Sequence, residues 1–454
     1  MAKTKSLTSG KPMPLLVGFA VPLLFGLLFQ QLYNVVDAAI VGRVLGADML
    51  GAVGCTGSVN FLIVGFCNGI CSGFAIPVAQ CFGAEQYSRM RSYIFNSIYI
   101  CAVFSIIFAA VTALLTPAIL SLMGTPSDIF DYAVMYIRII FIGIPASMAY
   151  NLGNGILRSL GDSKTPLLLL VAASLINVAL DLLFIVGFGK GVGSAAAATV
   201  ISQALSGIGC VVVLIKKFPI LRGNSDEKKF RPDLAARLAG VGIPMGLQFS
   251  ITAIGSTILQ SSVNAIGTEA VSGLAAGSKI SLFFTTVFDA LSSAMATFAG
   301  QNIGAGKPER VNEGLKDAAI IGTAYSLAAA AVLWVFGKTL AGIFVDTAEA
   351  AAVTEYACRF LKINSCFYVM LLFVNIVRLS IQGMGHTKAA MISGTMEMIA
   401  RTLFGLFVVP KFGYTAVCFA NGAAWILADA FLFPCYFRII GRAIHDKSAA
   451  SASE

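Results

Sequence analysis

The chain has 454 residues, of which 57% are hydrophobic and 12% charged. Soluble domains carry about 25% charged residues, so this composition cannot clothe a water-exposed surface and excludes a large soluble enzyme. The formal net charge of +9 is spread over loops and not interleaved with aromatic residues, which argues against a nucleic-acid partner.

The opening residues, MAKTKSLTSGKPMP, are basic. The apolar run after them is long and lacks a small-residue cleavage site, so no cleavable signal peptide is expected. Apolar segments of about 20 residues, enough to cross a bilayer, occur twelve times. They cover 14–41, 52–80, 93–116, 131–157, 166–187 and 193–215, then 236–262, 270–299, 315–336, 352–382, 389–409 and 415–440. Lys3, Lys5, Lys11, Arg89, Arg91, Arg158, Lys164, the 216–234 stretch, GAGKPERVNEGLK, Lys388, Arg438, Arg442 and Lys447 fall on one side. The opposite loops offer only Arg43, Lys190, Lys338 and Lys411. The positive-inside rule then puts both termini in the cytoplasm. Residues 216–234 divide the spans six and six. The expected organisation is a cytoplasmic terminus 1–13, an amino lobe 14–215, a solvated cytoplasmic linker 216–234, a carboxy lobe 235–440 and a cytoplasmic tail 441–454.

Within this apolar sequence the polar residues stand out. Asp37 sits in LYNVVDAAIVGR, where a carboxylate costs about 2.5–3.5 kcal/mol on insertion scales. Asp181 lies in NVALDLLF, with Asn177 four residues earlier on the same helix face. Counted from the cytoplasmic ends, Asp37, Asp181, Thr199 and Tyr136 reach a common depth in the outer half of the membrane. Two carboxylates, an amide and a hydroxyl make an oxygen cage for Na⁺; equally, the two aspartates could share one proton. Interhelical structural hydrogen bonds are the plainer reading, but they leave the cost of two buried carboxylates unexplained. Gln30, seven residues before Asp37, either contacts substrate or is an ordinary packing polar. Glu397 and Arg401 are four apart and read as a structural ion pair. Asp289 and Asp429 either face a cavity or pair with Lys279, Arg378 or Arg401.

Other chemistries find no support. The ten cysteines show neither CxxC nor Cys/His metal spacing, the closest pair being Cys67 and Cys71, and the two histidines are His386 and His445. CFGAEQ and GQNIGAGK are Gly-rich but lack the Walker pattern, so no ATP site and no cofactor are expected. No catalytic triad or HExxH motif occurs, which points away from an enzyme.

The two halves repeat. Gln80, Gly83, Ala84 and Arg89 in VAQCFGAEQYSRMR align with Gln301, Gly304, Ala305 and Arg310 in AGQNIGAGKPERVN. Upstream, Pro22 matches Pro244; downstream, Gly161 and Lys164 match Gly385 and Lys388. Six spans per unit is an even number, so the repeats enter the membrane in parallel. Such a pair encloses a cavity between lobes and alternates access by rocking, the plan of a secondary transporter.

LYNVVDAAIVGRVLG, VAQCFGAEQ, LRSLGDSKTP, NVALDLLF, GQNIGAGKPERV and IQGMGHTK resemble the multidrug and toxic compound extrusion (MATE) family over essentially the whole chain. The resemblance implies an all-α polytopic fold, twelve transmembrane helices in two parallel six-helix repeats around a central cavity. It implies efflux of amphipathic, often cationic, small molecules by antiport against H⁺ or Na⁺. It places an amino-lobe cation site at Asp37, Asn177, Asp181 and Thr199, and a cavity position at Asn154. The carboxy half has Leu259 or Gln260 opposite Asp37 and Leu403 to Gly405 opposite Asp181. The acidic residues that NorM-like relatives carry on helices 7 and 10 are missing, so the chain is nearer the DinF-like branch with one cation site. The alternative within transport is a lipid-linked precursor flippase, which calls for a basic cavity. The remaining expectations are a monomer in the plasma membrane, with drugs or toxic metabolites and the bilayer as partners.

Overall fold

In the computed structural model residues 6–343 and 350–452 are described, and among them every regular element is helical. Lys3 and Lys5, which entered the topology argument, lie outside the described residues, as do the last two of the chain. A backbone inside a bilayer must satisfy its polar groups internally, and a continuous helix does so. Ten helices are long and apolar enough to cross, and two bent pairs raise the number to twelve when each pair is one span. In the first half these are α1 Pro12–Leu45, α2 Gly57–Gly83, α3 Tyr87–Leu122, α4 Ser127–Ile142 with Ile144–Ser159, α5 Lys164–Gly187 and α6 Val192–Lys217. In the second they are α7 Pro232–Asn264, α8 Thr268–Gly304, α9 Pro308–Gly342, α10 Ala351–Ser365 with Tyr368–Gly383, α11 Thr387–Phe412 and α12 Tyr414–Ala449. A short separate helix, Ala47–Cys55, absorbs what the apolar pattern assigned to the start of the second span.

The repeat recurs in the irregularities. α4 bends by 47° at Gly143, where Pro145 at the head of the next segment has no N–H to continue the ladder. α10 bends by 56° at the corresponding place, and the N–H groups of Cys366 and Phe367 turn back to the carbonyls of Ile363 and Asn364 at 3.2 and 3.1 Å. α5 and α11 each widen into a π-helical stretch, Leu182–Gly187 and Phe404–Val408. Such stretches often mark functional sites. Here the duplication makes it a property of the repeat, although the first copy directly follows Asp181. The π-helical Val41–Leu45 beyond Asp37 has no partner in α7, which stays α-helical to Asn264.

The outward surface is apolar: Leu122 is 89% exposed and Val335 72%. Exposure of large side chains on this scale suits lipid and not water.

The chain forms two compact units. One holds Met1–Ser6 and Val21–Gly246, the other Leu7–Ala20 and Leu247–Glu454. The first turns of α1 and α7 thus belong to the opposite unit from the rest of those helices. Pro22 and Pro244 lie near the two division points, each removing a helical hydrogen bond.

In the first unit, α2 and the first turns of α7 approach backbone to backbone. A Cβ on Gly73 would lie 2.6 Å from Gly242 Cα, and one on Gly69 would lie 2.7 Å from Gly246 Cα. Gly69/Gly73 and Gly242/Gly246 are two facing GxxxG pairs, which allow this closeness in lipid. The 216–234 segment lies against the first turns of α3. Arg91 grips Glu227 with two bonds of 2.7 and 2.5 Å and donates to the Ile220 carbonyl at 3.0 Å. Tyr99 donates to the Lys228 carbonyl at 2.8 Å, and Asn96 accepts the Arg231 N–H at 2.8 Å. Arg91 holds the Glu227 carboxyl down to about 2.

In the second unit, the residues before α1 are pinned in a similar way. The buried Leu7 donates its N–H to Gln301 at 2.8 Å and accepts from Asn302 at 3.2 Å, while Arg310 donates to the Gly10 carbonyl at 2.9 Å.

Candidate functional site

The first unit brings five of the polar residues together. Asp37 on α1 and Asp181 on α5 lie within hydrogen-bonding reach of one another through their carboxyl groups. Asp181 is wholly buried and Asp37 half-buried. Oδ1 of each is buried with no hydrogen-bond partner. Two carboxylates that meet without a donor between them repel, and the contact becomes favourable only when a cation or a proton enters it.

Asn177 fixes one side of this pair. With Nδ2 turned to Asp181 it donates to Oδ2 at 3.2 Å, and its Oδ1 accepts the Thr199 N–H at 3.2 Å. The reverse setting leaves one long bond of 3.4 Å to Thr199 Oγ1, so the first, which satisfies both ends, is the consistent one. Thr199 in turn donates its hydroxyl to the Ala195 carbonyl at 3.1 Å. Asn177 therefore acts as a donor to the carboxylate, and its amide oxygen is committed to backbone.

Tyr136 on α4 stands beside both carboxyls, packed on the small apolar cluster of Val41, Ile185 and Ala195. Tyr33 stands beside both as well. The sequence reading missed Tyr33, although its position four residues before Asp37 puts it on the same face of α1. Gln30 is half-buried on α1, and its side chain makes no hydrogen bond among the described residues. Asn154 is tied up locally: it pairs with Tyr150 and accepts a long bond of 3.6 Å from Cys210 Sγ.

The equivalent place in the second unit is apolar, where Leu259, Val263, Phe404 and Val409 pack together. The charges of that unit gather elsewhere. Glu397 is buried between two arginines, accepting from Arg401 at 3.0 Å and from Arg378 in a very short contact. Arg378 was paired in sequence only with aspartates, because the bend of α10 that swings it toward α11 is not written in any spacing. Its Nε donates to Ser393 at 3.0 Å, and Arg401 Nε donates to Asn421 at 3.2 Å. Among the described residues no group of three or more His, Cys, Asp or Glu side chains is arranged to hold a metal ion.

The model of the MatE family matches this chain twice, over residues 22–183 and 244–407. The chain belongs to the MatE family. The double match restates the internal repeat, starting at Pro22 and at Pro244. Among MatE relatives, the chain is 29% identical over 428 residues to the probable multidrug resistance protein YpnP of Bacillus subtilis (strain 168), covering 93% of this chain and 91% of that protein. It is 22% identical over 398 residues to the multidrug export protein MepA of Staphylococcus saprophyticus, covering 86% and 87%. In fold it is similar to a multidrug resistance MATE family transporter of the MOP superfamily in an outward-facing conformation. That comparison has a TM-score of 0.89 at 21% identity, over 96% of this chain and 98% of the other. The MatE fold is thus an all-helical membrane transporter fold, built from two repeats of six spans.

Proposed function

We propose that this MatE protein is a proton-coupled antiporter that exports amphipathic, often cationic, small molecules across the plasma membrane by alternating access. The observation that carries the reading is the meeting of Asp37 and Asp181, with an unpartnered buried oxygen on each. The donor set favours H⁺ over Na⁺. Hard cations need a cage of several oxygens, whereas Asn177 turns its Nδ2 toward Asp181 and its oxygen toward the Thr199 N–H, which leaves the Thr199 hydroxyl oxygen as a neutral ligand beside the carboxylates. The two carboxyls meet within hydrogen-bonding reach, and one proton between them converts that contact into a hydrogen bond.

The mechanism follows from that conversion. Charged and empty, the pair repels and stays hydrated, which holds α1, α5 and α6 apart. Protonated, it draws the three helices together and reshapes the lobe, so that proton entry and substrate release become alternatives. A ligand drives such a change only through different affinity for the two shapes. A membrane potential of 100 mV contributes about 2.3 kcal/mol per charge carried inward, which suits uphill export. Both termini are cytoplasmic and the working unit is the monomer. The acidic character of the site suits a cationic substrate and disfavours a pyrophosphate-bearing lipid.

The test is efflux of a fluorescent lipophilic cation from proteoliposomes, under a pH gradient alone and then under a sodium gradient alone. Export under the pH gradient in sodium-free buffer is expected. Export that needs sodium in the absence of any pH gradient would overturn the proton assignment.

A further inference from the structure

Asp429, on α12 in the second unit, has no place in the mechanism above. It lies fifteen residues, about 22 Å of helix, beyond the first residue of α12 at Tyr414, far from either end. It is 5% exposed, and both of its carboxyl oxygens are buried without a hydrogen-bond partner. Of the groups brought up by the helices packed against α12, those that act on it electrostatically are Arg378 of α10 and Glu397 of α11. Arg401 of α11 joins through Glu397. The first segment of α10 carries Arg359, which acts on Cys418 and Tyr414 nearer the start of α12.

As the side chains stand, neither state of Asp429 satisfies both the charges and the donors of this cluster. Glu397 has a guanidinium on each oxygen and is held as the anion. Two arginines and one glutamate then leave one positive charge uncompensated, in a place where burial makes an unpaired charge costly. An ionised Asp429 would cancel that charge but finds no donor on either oxygen as it stands. One donor is unspent: Nη1 of Arg401 is buried and also without a partner. Neutral, Asp429 fits its present surroundings and the cluster keeps its excess charge. Ionised, it neutralises the cluster and competes with Glu397 for the arginines.

We propose that Asp429 is a second proton-binding carboxyl of this transporter, whose loss of a proton re-divides Arg378 and Arg401 between Glu397 and Asp429. The ligand is the proton itself, and the switching element is the pair of guanidinium groups joining α10, α11 and α12. This site stands apart from Asp37 and Asp181 and holds whether or not that pair couples transport.

The test is pH-difference infrared spectroscopy of the full-length protein in lipid nanodiscs, reading the carbonyl stretch of protonated carboxyl groups. It is done in an Asp37→Asn/Asp181→Asn background, so that the first site is silent. A band present at low pH and lost at high pH is expected in that background and absent after the further change Asp429→Asn. Asp429→Glu should keep the band at a shifted frequency, which preserves the test if Asp429→Asn does not fold. Spectra that superimpose with and without Asp429 would overturn the proposal, and so would a background in which no carboxyl band changes with pH.

Discussion

Replacing Asp37 by asparagine should stabilise the protein and stop it working. The Asp37 and Asp181 carboxyls are in hydrogen-bonding reach, and each has a buried oxygen without a donor. Two unit charges about 4 Å apart repel by roughly 4 kcal/mol at an effective dielectric near 20. Asp37 is only half-buried, so water screens part of this, and about 1–2 kcal/mol is the expected net strain in the charged state. An asparagine amide removes the repulsion and offers Asp181 the missing N–H, imitating a proton that never leaves. The sign with pH follows. At high pH the parent carries the repulsion and the variant does not, so the variant is the more stable; as pH falls the shared proton relieves the parent and the gap closes. Thermal unfolding in nanodiscs at several pH values reads the stability, and dye efflux under a pH gradient reads the function. The variant should unfold later than the parent at high pH and export nothing. Parental export, or a variant less stable than the parent at high pH, would refute the reasoning.

Three further outcomes are expected. Glu397→Gln removes the anion shared by Arg378 and Arg401 and should cost about 3–5 kcal/mol, seen as a lower unfolding midpoint with transport per folded molecule retained; adding Asp429→Asn should cost more than the two single changes together. Gly73→Val puts a side chain where a Cβ alone would lie 2.6 Å from Gly242 Cα; it should cost at least about 1–3 kcal/mol, while Gly441→Ala, inside α12 with nothing within 4 Å of the new Cβ, should not destabilise and should gain up to about 1 kcal/mol in the same unfolding assay. Glu227 is held down to about 2 by Arg91, so its bond to α3 is complete above the ordinary glutamate range and fails as pH drops toward that value. Glu227→Gln should release the segment at neutral pH, read as faster tryptic cleavage after Lys228 and Lys229; unchanged cleavage would show that Arg91 does not hold it.

What the sequence made legible, and what it hid, follows from where the energy is visible. Twelve apolar runs and a parallel repeat could be read because lipid forces long apolar helices, and two aspartates within them could be read because charge is so expensive there. Tyr33 escaped because a tyrosine has an apolar body and raises no such alarm; only its spacing from Asp37 gives it away. The direction of the Asn177 amide was beyond reach, since it is set by the backbone N–H of Thr199 on another helix. The 216–234 stretch has the composition of a solvated connector. It is docked all the same, because Arg91, Asn96 and Tyr99 on α3 bind its side chain Glu227 and its backbone, and backbone partners leave no mark on composition. The second unit shows the limit most sharply. A glutamate four residues before an arginine declares one ion pair, but the bend of α10 adds Arg378 to it, and a third helix adds Asp429. A buried pair that is complete in sequence becomes, in space, a cluster with one charge and one donor too many. That imbalance is a property of three helices packed together, which is why it takes the fold to see that Asp429 has a choice of states.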